Sequence, residues 1–158
     1  MSKIDINTLA ARLDEWARAR YFNDISALGA GWSRWLQTDF AAWLLDRFPK
    51  ADVQRDVRVL EDEGPGIDLL LNAHAPAAER IAILVLCQTA QDSNFLARAD
   101  EALNRLAKVA AVAEHRGCSV HLLAGVITEV PSEGLRQRSF TAIHNGNDMH
   151  LYMKQVNA

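Results

Sequence analysis

The sequence predicts a mixed α/β (α+β) domain with an αβββαβ core, a mixed central sheet flanked by helices, and a C-terminal β-hairpin. Three observations carry that expectation. Two stretches of helical periodicity come before three strand-like runs. A long helical pattern then separates the third of these runs from a fourth apolar strand, and an Asn-Gly pair flanked by alternating apolar residues lies near the end.

The first helix is expected over Ile6 to Arg20, where Leu9, Leu13, Trp16 and Ala17 recur on one face and Asn7 or Thr8 is placed to cap it. "YFNDISALGAG" breaks the pattern with two glycines. The second helix starts near Trp32 or Ser33 and runs until Pro49 forces an end, with Leu36, Phe40, Leu44 and Phe48 in one stripe and Trp32, Trp35 and Trp43 beside it. From Val53 to Leu60, Val53, Val57 and Val59 share one parity and the charges mostly take the other, the pattern of a half-exposed strand. The acidic "EDEGPG" turns the chain into "IDLLL", Ile67 to Leu71, expected to run antiparallel to the first strand.

"IAILVLC", Ile81 to Cys87, reads as a fully buried third strand. A long helix follows from about Ser93 to Arg116, with Leu96, Leu103, Leu106, Ala110 and Ala113 inward and Gly117 as its stop. "CSVHLLAGVI" is the fourth strand. Reached through that helix, a parallel fourth strand would make a right-handed crossover. "SFTAIHNGNDMHLYM" supplies the hairpin. With no internal repeat, linker or low-complexity tract, residues 1–158 are expected to form one domain.

The chain has 158 residues, 49% hydrophobic and 23% charged, which is globular usage. Its formal net charge of -3 offers no global attraction to nucleic acid or an anionic membrane, so neither is the favoured partner. No run of 18 apolar residues exists, and the start lacks the basic and apolar regions of a signal peptide; the expected location is the cytoplasm. Cys87 and Cys118 each sit at an apolar strand, outside any CxxC pair, and read as reduced buried thiols. Nothing local would activate Cys87 as a nucleophile.

Stripped of its ends, the element order resembles the PD-(D/E)XK nuclease superfamily, the restriction-endonuclease-like fold, over roughly residues 33 to 127. Members often carry an acid in the first core helix, another in the first strand, an aspartate opening the second strand and E-x-K ending the third. Here "WLQTDFA" offers Asp39, "VQRDVRV" offers Asp56 and "GIDLLL" offers Asp68. The third strand departs from the pattern: in "LVLCQT", Leu86 stands at the glutamate position and Gln88 at the lysine position. Phosphodiester cleavage needs carboxylates for Mg²⁺ and a cation for developing charge, and shifting the register by two residues does not restore the pair. The resemblance therefore implies a nuclease-like scaffold with a degenerate site and no cofactor.

Two functions follow as expectations. The first is a noncatalytic domain of the bacterial immunity or antitoxin type that binds and neutralises a protein partner, a toxin or effector. Its candidate contact residues are Trp16 and Trp32, as tryptophans at interfaces, and the acidic Glu61, Asp62 and Glu63. The alternative is a divergent metal-dependent nuclease or nucleic-acid-processing enzyme that uses Asp39, Asp56 and Asp68, with Asp56 and Asp68 foremost as Mg²⁺ ligands, and in which Gln88 replaces lysine. His144 and His150 with Asp148 match no metal-site spacing and read as hairpin residues. Arg98, Arg105, Lys108 and Arg116 interleave with Asp100, Glu101 and Glu114, as on a solvated mixed face.

Overall fold

A computed structural model of the chain describes residues 4–20, 31–89, 93–146 and 149–156. The architecture is α+β: a six-stranded mixed sheet with helices on both faces. Helix α1 spans Ile6–Arg18 and α2 spans Gly31–Arg47; strands β1 (Gln54–Val57), β2 (Ile67–Leu71) and β3 (Ile81–Cys87) follow. Helix α3 (Phe95–Lys108), strand β4 (Ser119–Val126), helix α4 (Val130–Gln137) and the hairpin strands β5 (Thr141–Asn145) and β6 (His150–Gln155) complete it.

The spatial order is β1-β2-β3-β4-β6-β5. The first three strands meander antiparallel, as "EDEGPG" and the short loops between them allow. β3 and β4 are parallel, paired from Ile81 with Ser119 to Cys87 with Gly125, because α3 carries the chain back to the same end of the sheet. The hairpin closes the other side antiparallel.

Strand alternation divides the core in two. Ile81, Ile83, Val85 and Cys87 of β3 face the cluster built by α1 and α2, where Trp16, Trp32, Leu36, Phe40 and Leu44 lie at 0–1% exposure. Ala82 belongs to the opposite cluster with Val120, Leu122, Ala124 and Val126 of β4 and with Phe95, Leu106 and Leu135 of α3 and α4. Leu84 and Leu86, half-buried, pack against that second cluster.

Several boundaries differ from the sequence reading. The cap of α1 is Asp5, whose carboxylate accepts the Thr8 N–H at 2.7 Å, rather than Asn7 or Thr8, and the helix ends at Arg18. β1 is four residues, Gln54–Val57, rather than eight, and Asp56 within it takes a left-handed backbone, φ 53°. α3 stops at Lys108, eight residues before Arg116. There the chain extends to pair with the segment after β1: Glu61 N–H bonds the Ala110 carbonyl at 2.9 Å and Val112 N–H the Val59 carbonyl at 2.8 Å. Those bonds outweigh the helical preference of the alanines, so Ala110 and Ala113 lie exposed rather than inward. Helix α4 has no counterpart among the expected elements. Eight residues with Pro131 and Gly134 give little periodic signal, yet Leu135 anchors it in the core.

Asn72 fastens the N-terminus to the sheet. Its backbone is left-handed at φ 57°, its side-chain oxygen accepts Ile4 N–H at 3.2 Å, and its amide donates to the carbonyls of Ile4 and Glu79 at 2.8 and 2.9 Å. Asn72→Ala, which loses all three bonds and strains the backbone, is expected to lower stability by about 3 kcal/mol. Asn72→Gly, which keeps the backbone free, should lose less. Urea denaturation of the two variants checks this, and equal losses would mean that the left-handed backbone contributes nothing.

Candidate functional site

The C-terminal ends of parallel strands are where ligand sites form in open α/β sheets, and here β3 and β4 end beside each other at Cys87 and Gly125. Trp32 of α2 lies across them. Its indole N–H donates to the Gln88 carbonyl at 2.7 Å, and a Cβ built on Gly125 would meet the Trp32 ring at 2.7 Å and Cys87 Sγ at 3.3 Å. Glycine is required there by close packing. Burial first, and then the neighbouring Asp68 carboxylate, push the Cys87 thiol well above its ordinary value, so it is an inert packing thiol.

Gln88, the residue at the lysine position of the nuclease pattern, is 7% exposed. Its carboxamide oxygen accepts Ile127 N–H at 2.9 Å and Thr128 N–H at 3.3 Å, and its amide lies 3.1 Å from Thr128 Oγ1. The side chain thereby satisfies the backbone where β4 leaves the sheet. Leu86, at the glutamate position, is half-buried against the second core cluster. Beside Gln88 a crevice of about 220 Å³ opens between the starts of α3 and α4, lined by Phe95, Leu96, Val130 and Pro131. Thr89 follows within the described residues, whereas Gln91 lies outside them.

The three acids do not converge. Asp39 faces α1, where its Oδ2 accepts the Trp16 indole N–H at 2.8 Å and pairs with Arg20. Its role is to bind α1 to α2. Asp56 and Asp68 do meet: Arg55 pairs with Leu69 and Val57 with Ile67, which places Asp56 across from Asp68. Asp68 Oδ2 accepts Val85 N–H at 2.6 Å, reaching a backbone donor on β3. Burial raises the Asp68 carboxyl and Asp56 adds to the rise, against the Val85 bond and the charges of Arg55 and Arg34. Among the described residues no three His, Cys, Asp or Glu side chains gather as a metal-binding group.

The tryptophans proposed as contact residues are corrected by burial. Trp16 is 0% and Trp32 1% exposed, each with its indole N–H bonded inside the protein, so neither offers a surface to a partner. The acidic turn is surface. Glu61 and Glu63 are exposed and form no ion pair among the described residues, while Asp62 is clamped by Arg105 of α3 through bonds of 2.8 and 3.0 Å. Hydrogen bonds from Arg105 hold the Asp62 carboxyl below its usual range. Arg105 also donates to the Pro65 carbonyl at 2.6 Å, and with Asp56, Arg58, Glu63 and Gly64 it borders a groove of about 370 Å³.

The expected mixed face of α3 is broken up. Arg105 serves the turn, Asp100 pairs with Arg138 at 2.6 Å, and Arg116 lies beyond the helix. His144 and His150 stand on the hairpin with separate partners, Asp14 at 2.9 Å and Glu129 at 3.1 Å; Asp148 lies outside the described residues. Thr128 and Ile127 escaped the sequence reading, and Arg105 was read there only as part of a solvated face, because their partners are 39 to 43 residues away. The chain matches no protein-family model, no curated protein and no solved structure.

Two substitutions separate structural from chemical roles. Gln88→Leu leaves Ile127 N–H and Thr128 without acceptors and is expected to lower stability by about 2 kcal/mol. A loss below about 0.5 kcal/mol in urea titrations would remove Gln88 from that structural role. Asp68→Asn keeps an acceptor for Val85 without the charge. Because the folded-state pKa of Asp68 is raised, wild-type stability is fully present below the unfolded-state pKa and declines as pH rises through the folded value. Between acid and neutral pH the variant should therefore gain on the wild type; a parallel pH profile would show that the Asp68 charge has no such effect.

Proposed function

We propose that the protein is a noncatalytic binding domain on a degenerate PD-(D/E)XK-like scaffold, of the immunity or antitoxin type, which neutralises a toxin or effector protein in the cytoplasm. One observation carries the reading: the side chain at the lysine position, Gln88, is consumed in bonds to the backbone of Ile127 and Thr128. A group so engaged supplies neither a cation nor an oriented water to a phosphodiester. Asp39, equally engaged with Trp16 and Arg20, adds support.

The acidic turn suits a partner contact. Glu61 and Glu63 are exposed and form no ion pair among the described residues, and Arg105 fixes the turn that carries them through Asp62 and Pro65. A basic surface on the partner would meet them. None of the helices of the described residues is long and apolar enough to cross a membrane, which agrees with a partner met in solution.

Co-expression with each gene encoded beside this one is expected to identify a toxin or effector that forms a complex surviving purification and from which this protein protects the host cell. The double variant Glu61→Lys/Glu63→Lys should weaken that complex about tenfold or more, with the larger loss at low salt. Neither complex nor protection from any such pair would end the reading.

A second reading, a divergent metal-dependent nuclease or nucleic-acid-processing enzyme, has one observation in its favour. Asp56 and Asp68 oppose each other across β1 and β2, and a divalent cation would relieve two adjacent carboxylates. Titration calorimetry with Mg²⁺ and Mn²⁺ decides between the two. Binding to the wild type that Asp68→Ala abolishes would favour the enzyme, and no heat at millimolar metal would favour the binding protein.

A further inference from the structure

The end of the β3–β4 pair opposite Gln88 holds two buried histidines that fit the protein only without a proton. His115, 4% exposed, lies in the turn that leads into β4, and its Nδ1 accepts a hydrogen bond from the Arg80 guanidinium at 3.1 Å. A guanidinium has no lone pair to offer, so that nitrogen must be the acceptor. His121, 1% exposed, sits on β4 between Ile83 of β3 and Gln155 of β6, and neither ring nitrogen has a partner among the described residues. We propose that this end of the strand pair is an acid-sensitive latch, closed while His115 and His121 are neutral and opened when they take up protons from solvent.

The charges around each imidazole favour that behaviour. Facing His115 are Arg80, whose positive charge opposes protonation, and Glu114, which favours it; burial is the larger effect and lowers the pKa. Among the described residues no charged group bears on His121, and burial lowers it to about 4. His74, His144 and His150 each lie beside a carboxylate, Asp52, Asp14 and Glu129, whereas His115 and His121 have none within bonding distance among the described residues.

Arg80 is the mechanical link. It holds the Ala75 carbonyl at 2.8 Å and the Glu114 carbonyl at 2.9 Å through its guanidinium, while its own carbonyl accepts Ser119 N–H at 3.1 Å. A proton on His115 sets cation against cation at the point where β3 begins and β4 is brought alongside it. A proton on His121 leaves an unsolvated charge one residue beyond Val120, a cost that entry of water at this end of the sheet would relieve. The sign follows from linkage: with folded-state pKa values below the unfolded value, closure is fully favourable above about pH 6.5 and weakens as pH falls toward the folded values.

The test is an NMR titration of the full chain, following the imidazole protons and the exchange protection of the Cys118 and Ser119 amides, which bond the His115 and Arg80 carbonyls. His121 is expected to titrate near pH 4, and His115 below the usual histidine range. Protection at the two amides should fall about tenfold or more between pH 7 and pH 4.5. In His115→Asn/His121→Leu, which keeps an acceptor for Arg80 and removes both titrations, that fall should vanish. Imidazoles that titrate near 6.5, or the same fall in the variant, would overturn the proposal. Should the variant not fold, the wild-type titration still decides it.

Discussion

The parallel pairing of β3 with β4 is the constraint to which the remaining elements answer. Seven residues of β3, Ile81 to Cys87, pair in unbroken register with Ser119 to Gly125, at the centre of a sheet covered on both faces. Parallel strands cannot be joined by a tight turn, so a crossover has to span the sheet, and α3 supplies it. A pair buried on both faces must also be apolar on both parities, which β3 achieves with Ile81, Ile83 and Val85 toward one cluster and Ala82, Leu84 and Leu86 toward the other. The two ends of the pair are then the places where its backbone must be satisfied by something other than a neighbouring strand. Gln88 and Trp32 do this at one end, and Arg80 does it at the other.

Polar side chains in this fold act mainly as fasteners over long sequence separations. Asp39 joins α1 to α2, Asp62 and Arg105 join the β1–β2 turn to α3, Asp100 and Arg138 join α3 to the end of α4, and Asp68 bridges β2 to β3. Two of them, Asp39 and Asp68, stand where the resemblance noted in the sequence would place acids of a nuclease. The same residue type at the same position can hold a backbone N–H or a metal ion, and only its other contacts decide which. For Asp39 and Gln88 those contacts are inside the protein. Asp68 keeps a second oxygen and a neighbouring carboxylate, Asp56, and is the residue at which the two functional readings diverge.

Legibility in the sequence followed the range of the forces involved. "IAILVLC" and "IDLLL" are bounded apolar runs, and both strands coincide with them residue for residue. α2 ends just before Pro49, as the proline demands. The end of α3 was illegible because "VAAV" has ample helical preference, and its extended form depends on bonds to Val59 and Glu61, some fifty residues earlier. Trp16 and Trp32 illustrate another limit. Tryptophan content marks large apolar area without saying whether it faces a partner or the core, and here the indole N–H groups found acceptors inside, at Asp39 and the Gln88 carbonyl. Gln88 is the same case for polarity, since its partners arrive from the far end of β4.

The edges of the sheet narrow the ways in which this surface can meet another protein. β5, one edge, is tied to α1 through His144 and Asp14. β1, the other, is four residues long, exposes Gln54, Arg55 and Asp56, and takes a left-handed backbone at Asp56. Short, charged and irregular edges resist the addition of a strand from outside, so backbone pairing is a poor route to a partner on either side. Contact through side chains on a fixed support remains, and the turn after β1 has that character. With Asp62 and the Pro65 carbonyl both held by Arg105 of α3, Glu61 and Glu63 project from a segment that loses little freedom on binding. Preorganisation of this kind gives an exposed carboxylate pair an influence on affinity that freely moving surface charges lack.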